Sequence, residues 1–359
     1  MHHIVGDNWS MGVLIREFEA HYEAFSSGRR PDLRELPIQY ADYAAWQRQW
    51  FKGEVLEEQL EYWKQQLSGE PPVLELPADH ARPAVQTERG AIRRLELGQE
   101  TSKQLTQLSR REGVTLFMTL LGVLNVLLAR YTGQRDLVVG TPIAGRNRLE
   151  TEGLIGFFVN TLVLRTDLSG DPTFRELLQR VREGSLTAQL HQDLPFEKLV
   201  EELQPERDLS HTPLFQVMFA LQNAPQGHLQ LGELQLRQEV TRHEAAKFDL
   251  TLALEESDGG LRGLFNYNTD LFEASTIDRM MGHFRNLVEA VIADPERRVS
   301  ELQLLSDAER QRIVREWNET ESAYPRDQAV HRLFEAQVME TPDAVAVKFG
   351  DEEVSYAEL

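Results

Sequence analysis

Cysteine is absent from this chain of 359 residues, and its absence removes two classes of chemistry. The chain can form no disulfide framework and can supply no thiolate nucleophile. Any covalent thioester chemistry must therefore use a sulfur atom that a partner provides. A cysteine-free sequence fits a reducing compartment, so a cytoplasmic protein is expected.

Long apolar runs and an excess of basic residues are also missing. The longest apolar stretch, 116–128, is interrupted by Thr119, Gly122 and Asn125 and is shorter than the ~20 residues of a membrane span. The chain opens with no charged and then apolar signal segment. With 38 Lys and Arg against 58 Asp and Glu, the net charge is −20, which repels phosphate backbones. We therefore expect no membrane insertion, no secretion and no nucleic acid partner.

The remaining composition, with 41% hydrophobic and 27% charged residues, is typical of a globular protein with more than one compact unit at this length. Hydrophobic periodicity predicts helices and strands that alternate along the chain. The predicted helices are 10–24, 40–67 with a break near Gly53, 101–112, 115–131, 173–190, 196–203 and 274–293. The predicted strands are 91–97, 136–140, 157–165, 214–222, 229–240, 247–255 and 261–268. This order indicates an α/β fold with a mixed sheet.

The strongest candidates for acid/base chemistry are a paired histidine and the aspartate that follows it, His2, His3 and Asp7. Histidine suits proton transfer near neutral pH. Two alternatives compete: a histidine that only packs, with Asp7 capping the helix that follows, and a metal site. The metal site has no third ligand nearby, and adjacent side chains on an extended strand point in opposite directions. We expect no metal and only one of the two histidines directed inward.

Five segments together resemble the condensation domains of nonribosomal peptide synthetases. The segments 2–10, 40–47, 155–162, 191–197 and 207–216 are similar, in that order, to the family signatures HHxxxDG, YxDYAxWQ, GxFVNT, HQDxPFE and RDxSRxPLFQ. The stretch 156–165 looks most like the subtype that joins an L-configured donor to an L-configured acceptor (LCL). Epimerisation-type relatives share the histidines but lack this strand pattern, and heterocyclisation domains replace the paired histidine with an aspartate.

The resemblance also implies the domain organisation. Residues 1–88 are expected to be the remainder of an N-terminal lobe that is incomplete, and 89–305 the C-terminal lobe, with a proline-rich stretch near the boundary. A polar linker is expected over 306–325. The end of the chain, 354–359, resembles the first short motif of an adenylation domain, so 326–359 is interpreted as the truncated start of that domain.

The family's fold resembles chloramphenicol acetyltransferase, with two lobes and a tunnel between them. Two carrier proteins, an upstream donor and a downstream acceptor, present thioesters there on 4'-phosphopantetheine arms, so no cofactor is bound directly. The acceptor's amine attacks the donor's thioester to form a peptide bond. By resemblance His3 faces the tunnel as base or as positioning group, with His2 beside it, and Asp7 pairs with an arginine, for which Arg146 is the candidate.

Other motif residues are weaker candidates. Asn160, Thr161, His191 and Gln192 are expected either to line the tunnel or to hydrogen-bond the backbone, as buried polar side chains most often do. Trp9 is interpreted as packing support. Asn8 stands where the family has glycine, and asparagine is tolerated there even at positive φ. His211 replaces an arginine, which puts a charge contact at that position in doubt.

Two further expectations concern activity. The alternative functions are a noncatalytic platform that binds carrier proteins or other partners, and an epimerisation-type relative. The isolated chain is expected to be unstable or inactive, because the family's strands and helices that precede the histidines are absent from it.

Overall fold

The computed structural model describes residues 2–69, 73–204, 208–222, 230–231, 234–235, 245–257, 259–323 and 327–359. Contacts divide the chain into two units, Met1–Ser306 and Asp307–Leu359. The strand predicted over 229–240 lies mostly outside the described residues, as does Arg207 of the fifth signature. The lobe boundary predicted at 88/89 falls inside the first unit and stays a prediction.

The first unit contains a short 3₁₀ turn at His3–Val5 followed by helices and strands that alternate. Its helices are α1 (Asn8–Ser26), α2 (Tyr40–Trp50), α3 (Glu54–Gln66), α4 (Gln99–Arg111), α5 (Leu116–Thr132), α6 (Leu149–Glu152), α7 (Phe174–Leu190), α8 (Phe196–Leu203) and α9 (Ala274–Ala293). Its strands are β1 (Gly90–Gly98), β2 (Asp136–Ile143), β3 (Asn160–Asp167), β4 (Val217–Gln222), β5 (Gln230–Leu231), β6 (Leu234–Gln235), β7 (Leu250–Ser257) and β8 (Gly260–Asn268).

A six-stranded sheet organises this unit, in the order β1-β8-β7-β4-β2-β3. The pairs β1/β8, β8/β7 and β2/β3 are antiparallel, whereas β7/β4 and β4/β2 are parallel. The mixed sheet predicted from the sequence is therefore confirmed. The short strands β5 and β6 pair separately in an antiparallel ladder.

Helix α5 is the core helix of this unit. Its middle is apolar apart from Thr119 and Asn125, and 118–128 is buried, which is the pattern of a helix enclosed by other elements. Thr115 caps its N-terminus by accepting a hydrogen bond from Met118 N at 3.2 Å. The helix contacts α4, α7 and α9 as well as β2 and β4, so the prediction of a buried core helix is confirmed.

Several strand boundaries differ from the sequence-based prediction: β2 continues to Ile143, beyond the predicted 140, β7 begins at Leu250 rather than 247, and two further strands begin three residues late. The strand predicted over 157–165 begins only at Asn160, because Phe157 O accepts a bond from Tyr40 and Phe158 N donates one to Asp7. The strand predicted over 214–222 begins at Val217, after Leu214 at φ 69°. Both displaced segments use their backbone groups for contacts outside the sheet ladder.

The second unit contains α10 (Asp307–Val314), a 3₁₀ turn at Glu316–Asn318, α11 (Val330–Glu340), β9 (Val345–Phe349) and β10 (Glu352–Ser355). Strands β9 and β10 pair antiparallel. The stretch 306–325, predicted as a linker, thus includes a helix of two turns.

Within the described ranges, no single helix has the length and apolar character to cross a membrane. The consecutive helices α4 and α5 meet the length and composition requirement only when joined, and they are bent by 103°.

Candidate functional site

The two histidines take opposite roles at the 3₁₀ turn. His2 is extended and caps the turn, since its Nδ1 accepts a hydrogen bond from Ile4 N at 3.1 Å. His3 begins the turn, and its Nδ1 lies 2.9 Å from Gly6 O. Both side chains are exposed.

These two contacts determine which ring nitrogen carries the proton in each neutral imidazole. A carbonyl oxygen only accepts, so His3 Nδ1 donates to Gly6 O and His3 Nε2 keeps a free lone pair. An amide N–H only donates, so the lone pair of His2 is already occupied at Nδ1. His3 is therefore the histidine whose basic nitrogen is available to a substrate.

An aromatic ring fixes a second side of His3. The imidazole meets the Phe157 ring edge-on, with ring centroids 5.2 Å apart and an interplanar angle of 86°. Such contacts favour one ring orientation over others. Together with the bond to Gly6 O, this contact orients a side chain that solvent would otherwise leave free to rotate.

Asp7 is buried and holds the motif to the rest of the unit. As the N-cap of α1, its Oδ1 accepts bonds from Ser10 N at 2.8 Å and Ser10 Oγ at 2.7 Å, and its Oδ2 accepts one from Phe158 N at 3.0 Å. Burial alone would raise the pKa of Asp7, but these bonds and the charge of Arg146 outweigh it, so the pKa lies below its ordinary value. Asp7 is thus an ionised organiser of this loop.

Arg146 is the ionic partner of Asp7, with Nη2 3.2 Å from Oδ1 and side chains exposed by only 1% and 5%. Its guanidinium also donates to Thr151 O and Leu154 O and lies 4.1 Å from the Phe158 ring centroid. Burial lowers the pKa of Arg146, and Asp7 counteracts this, but an arginine remains protonated near pH 7. The pairing expected from the sequence is present.

Gly145, which precedes Arg146, has a backbone conformation that favours glycine and no room for a side chain. Its φ is +62°, and a Cβ there would lie 2.0 Å from Phe158 O. The chain can turn Arg146 toward Asp7 at this point because Gly145 has no side chain.

Ser10 is the residue of this site to which the sequence analysis gave no role. It is fully buried, and its Oγ accepts bonds from Gly156 N at 3.1 Å and Arg146 Nη2 at 2.8 Å. Its single hydroxyl proton lies within reach of Asp7 Oδ1 and Gly156 O. Its partner Gly156 lies 146 residues away, so no local pattern of the sequence could identify this role.

The remaining residues of the first signature have structural positions. Asn8 is the first residue of α1 and does not have positive φ, so the glycine of the family signature is not needed here for backbone freedom. Trp9 donates its Nε1–H to Glu152 O at 2.9 Å. It thereby ties α1 to the end of α6, as its interpretation as packing support anticipated.

Among the described residues, the partners of the Asn160 side chain are all backbone groups. Its Nδ2 donates to Gln192 O at 2.9 Å and to Leu194 O at 2.7 Å, while its Oδ1 accepts from Thr161 N and Phe196 N. Both N–H bonds and both lone pairs of this amide are used, so its polar atoms are not available to a ligand. Asn160 joins the start of β3 to the loop before α8.

The other candidates of this region surround that loop. His191 Nδ1 lies 2.9 Å from Thr187 O, and the ring stacks on Tyr62 with centroids 3.8 Å apart. Gln192 donates from Nε2 to Gln189 O at 2.8 Å. Thr161 is half-buried within β3. These contacts hold the loop 191–195 against α3 and α7.

Asn160→Ala is expected to lower the free energy of unfolding by about 1–3 kcal/mol, because it leaves four backbone groups without partners. Asn147→Ala is a matched control, since Asn147 makes one exposed bond to Asp193 and its loss should cost less than about 0.5 kcal/mol. Urea denaturation measures both. Equal stability of the two variants would show that Asn160 does not hold the loop.

His211 does make a contact with a charged group. Its Nδ1 lies 2.6 Å from Asp208 Oδ2, and the Ser210 hydroxyl lies 2.7 Å from Asp208 Oδ1. These bonds, chiefly those from Ser210, lower the pKa of Asp208 to about 2. The arginine of the family signature is thus replaced by a histidine that reaches a local carboxylate.

Metal chemistry has no evident location in the described part of the chain, where no group of three or more His, Asp and Glu side chains could hold an ion. What the arrangement offers is one imidazole oriented by Gly6 O and the Phe157 ring, on a loop that a buried ion pair anchors. Within the described residues, Nε2 of this imidazole has no hydrogen-bond partner. It can accept, donate or hydrogen-bond a proton of a substrate in the adjacent solvent-accessible space.

Comparisons with known proteins identify relatives of the whole chain. The condensation domain model matches residues 1–314. A linear gramicidin synthase polypeptide of Brevibacillus parabrevis is 52% identical over 361 residues, which cover 100% of this chain and 7% of that protein. Surfactin synthase subunit 1 of Bacillus subtilis (strain 168) is 42% identical over 100% of this chain and 10% of that protein. The chain therefore spans a tenth or less of these relatives.

Solved structures share the fold. The X-domain from teicoplanin biosynthesis has a TM-score of 0.77 at 33% identity, over 85% of this chain and 71% of that chain. A four-domain nonribosomal peptide synthetase bound to AMP and glycine has a TM-score of 0.82 at 28% identity, over 100% of this chain and 28% of that chain. This chain and both solved structures share the mixed α/β fold.

Proposed function

The chain belongs to the condensation domain family, and we propose that it forms peptide bonds between two carrier-bound substrates in nonribosomal peptide biosynthesis. The α-amine of the acceptor attacks the carbonyl carbon of the donor thioester. A C–N bond forms, the C–S bond breaks, and the donor's arm leaves as a thiol that gains the proton lost by the amine. The product is a peptide that remains attached to the acceptor.

The free Nε2 of His3 is the observation that carries this proposal. The reaction moves one proton from nitrogen to sulfur, and an imidazole with one free lone pair can take that proton and pass it on. Because the amine has a pKa near ~8, roughly a tenth of it is neutral at pH 7. Orientation and stabilisation of the tetrahedral intermediate by the same nitrogen therefore add to, and in part replace, general-base catalysis.

The proposed partners are an upstream donor carrier protein, a downstream acceptor carrier protein and an adjoining adenylation domain. The carriers supply the thiols on their phosphopantetheine arms, since a chain without cysteine has no thiol side chain, and no other cofactor is required. Identity to synthetases over the full chain supports these partners. The likeness of 354–359 to an adenylation motif supports the adjoining adenylation domain as a partner. The cysteine-free composition supports a cytoplasmic location.

We further propose the LCL subtype and a catalytic role centred on His3. The pattern of 156–165 supports the subtype. The opposite tautomers of His2 and His3 support the assignment of the catalytic histidine, with His2 capping the turn. Asp7 and Arg146 act through the backbone they hold rather than on the substrate.

Amide formation by the full natural polypeptide that carries this sequence tests the proposal. Donor carriers loaded with L-alanine, L-leucine or L-phenylalanine are mixed with similarly loaded acceptors and followed by intact-protein mass spectrometry. The acceptor mass is expected to rise by one aminoacyl residue. An acceptor carrying the corresponding α-hydroxy acid or N-acetyl amino acid is the control, because neither has a free amine.

Two outcomes would contradict the proposal. A folded protein that yields no product with any loaded pair, yet binds the carriers, would favour the noncatalytic platform. Inversion of an aminoacyl residue without a gain in mass would favour an epimerisation-type relative.

A further inference from the structure

The segment 156–158, which carries the aromatic neighbour of His3, is held by two helix starts. From α1, Ser10 bonds Gly156 and Asp7 accepts from Phe158 N. From α2, the Tyr40 hydroxyl donates to Phe157 O at 2.9 Å. The backbone on both sides of the Phe157 ring is therefore fixed by side chains from outside the segment.

Tyr40 is itself well placed to fix this backbone. It is the first residue of α2, and the helix start is secured by Asp42 Oδ2, which accepts a bond from Gln39 N at 2.8 Å. Its ring meets Phe158 edge-on at 5.1 Å. A Cβ on Gly156 would lie 2.1 Å from this ring, so glycine is what allows the tyrosine to approach.

Phe157 passes this constraint on to the imidazole. Its side chain contacts the His3 ring, while its carbonyl is the group that Tyr40 holds. A displacement of the backbone at Phe157 would move its Cα, and with it the aromatic ring, relative to His3. The bond to Gly6 O fixes one ring nitrogen, and the Phe157 contact restricts the ring plane, so both are needed to direct Nε2 in one direction.

We infer that Tyr40 is a positioning residue for His3 and acts through the backbone and ring of Phe157. This inference rests on the proposed function, because it assigns Tyr40 to the orientation of the group that handles the proton. Tyr40 does not touch the reacting atoms. Its hydroxyl determines how often Nε2 is in the productive orientation.

The matched variants are Tyr40→Phe and Tyr43→Phe. Both tyrosines are on α2 and both pack against Phe158. Among the described residues, however, the Tyr43 hydroxyl has no hydrogen-bond partner, whereas the Tyr40 hydroxyl holds Phe157 O. Each substitution removes one oxygen atom and keeps the ring.

We expect Tyr40→Phe to lower kcat about three- to tenfold, the range of one net hydrogen bond, without changing KM for either loaded carrier. Tyr43→Phe should stay within about twofold of wild type, since no bond is lost. Phe157→Leu keeps the held carbonyl but removes the ring, and it should reproduce the lower kcat.

A spectroscopic readout separates positioning from general stability. The His3 ring resonances, assigned by comparison with His3→Ala, should shift in Tyr40→Phe and Phe157→Leu because the neighbouring aromatic ring moves. They should be unchanged in Tyr43→Phe. Unchanged His3 resonances in Tyr40→Phe, or equal kcat for the two tyrosine variants, would overturn the inference. If wild type forms no amide, the proposed function fails, while the resonances still decide whether Tyr40 positions His3.

Discussion

Asp7→Ala is expected to lower the free energy of unfolding by about 3–5 kcal/mol, as for a buried ion pair that loses one partner. The substitution leaves the Arg146 guanidinium, whose side chain is 1% exposed, without its counter-charge. It also removes the acceptor for Ser10 N and Phe158 N. Chemical denaturation measures the loss, and an Asp7→Ala protein as stable as wild type would contradict the organising role.

Asp136→Ala is the matched control for this prediction. Asp136 also pairs with an arginine, Arg165, but the two side chains are 36% and 21% exposed. Arg165 donates to Asp136 from both Nε and Nη2, but solvent screens the pair, so its removal should cost about 1–2 kcal/mol, less than the loss at Asp7. A larger loss at Asp136 than at Asp7 would show that burial does not govern the difference.

The stability that ionised Asp7 contributes should depend on pH in a definite direction. Because the folded protein lowers the pKa of Asp7, its ionised form adds stability at pH values above the unfolded-state pKa of about 3.9. That contribution decreases as the pH falls through the lowered folded-state pKa. The stability difference between wild type and Asp7→Asn should therefore be constant near neutrality and narrow below about pH 4.

Sequence patterns predicted the elements better than their ends. The period of α5 and the alternation of β1 are local properties, and both elements occur where they were expected. The start of β3 depends on Tyr40 and Asp7, which are more than 100 residues away in sequence. No local pattern could place that boundary at Asn160 rather than Phe157.

In the candidate site, too, some features could be predicted from the sequence and others depend on distant contacts. The first signature identified His3 and Asp7, and the resemblance made Arg146 the candidate partner of Asp7; the structure brings Asp7 and Arg146 together. The contrast between His2 and His3 could not be predicted, because it depends on which backbone group each Nδ1 meets. Ser10 was missed because its partner Gly156 is 146 residues away.

His3→Ala is expected to slow peptide bond formation by about a hundredfold or more, the usual effect of removing an oriented proton-transfer group. Its side chain is exposed, and its contacts within the described part of the chain are the Gly6 bond and the Phe157 ring. The loss should therefore appear in the rate, with thermal unfolding close to wild type. His2→Ala removes a cap on an exposed turn and should cost no more than about tenfold.

The most direct measurement compares wild type, His2→Ala and His3→Ala in a single-turnover reaction between two loaded carriers. The dipeptidyl product is quantified by intact-protein mass spectrometry, and folding is checked by thermal denaturation. A folded His3→Ala protein at least about a hundredfold slower than wild type, and slower than His2→Ala, is the predicted result. Equal rates for His3→Ala and wild type, or a larger loss in His2→Ala, would contradict the assignment of the reaction to Nε2 of His3.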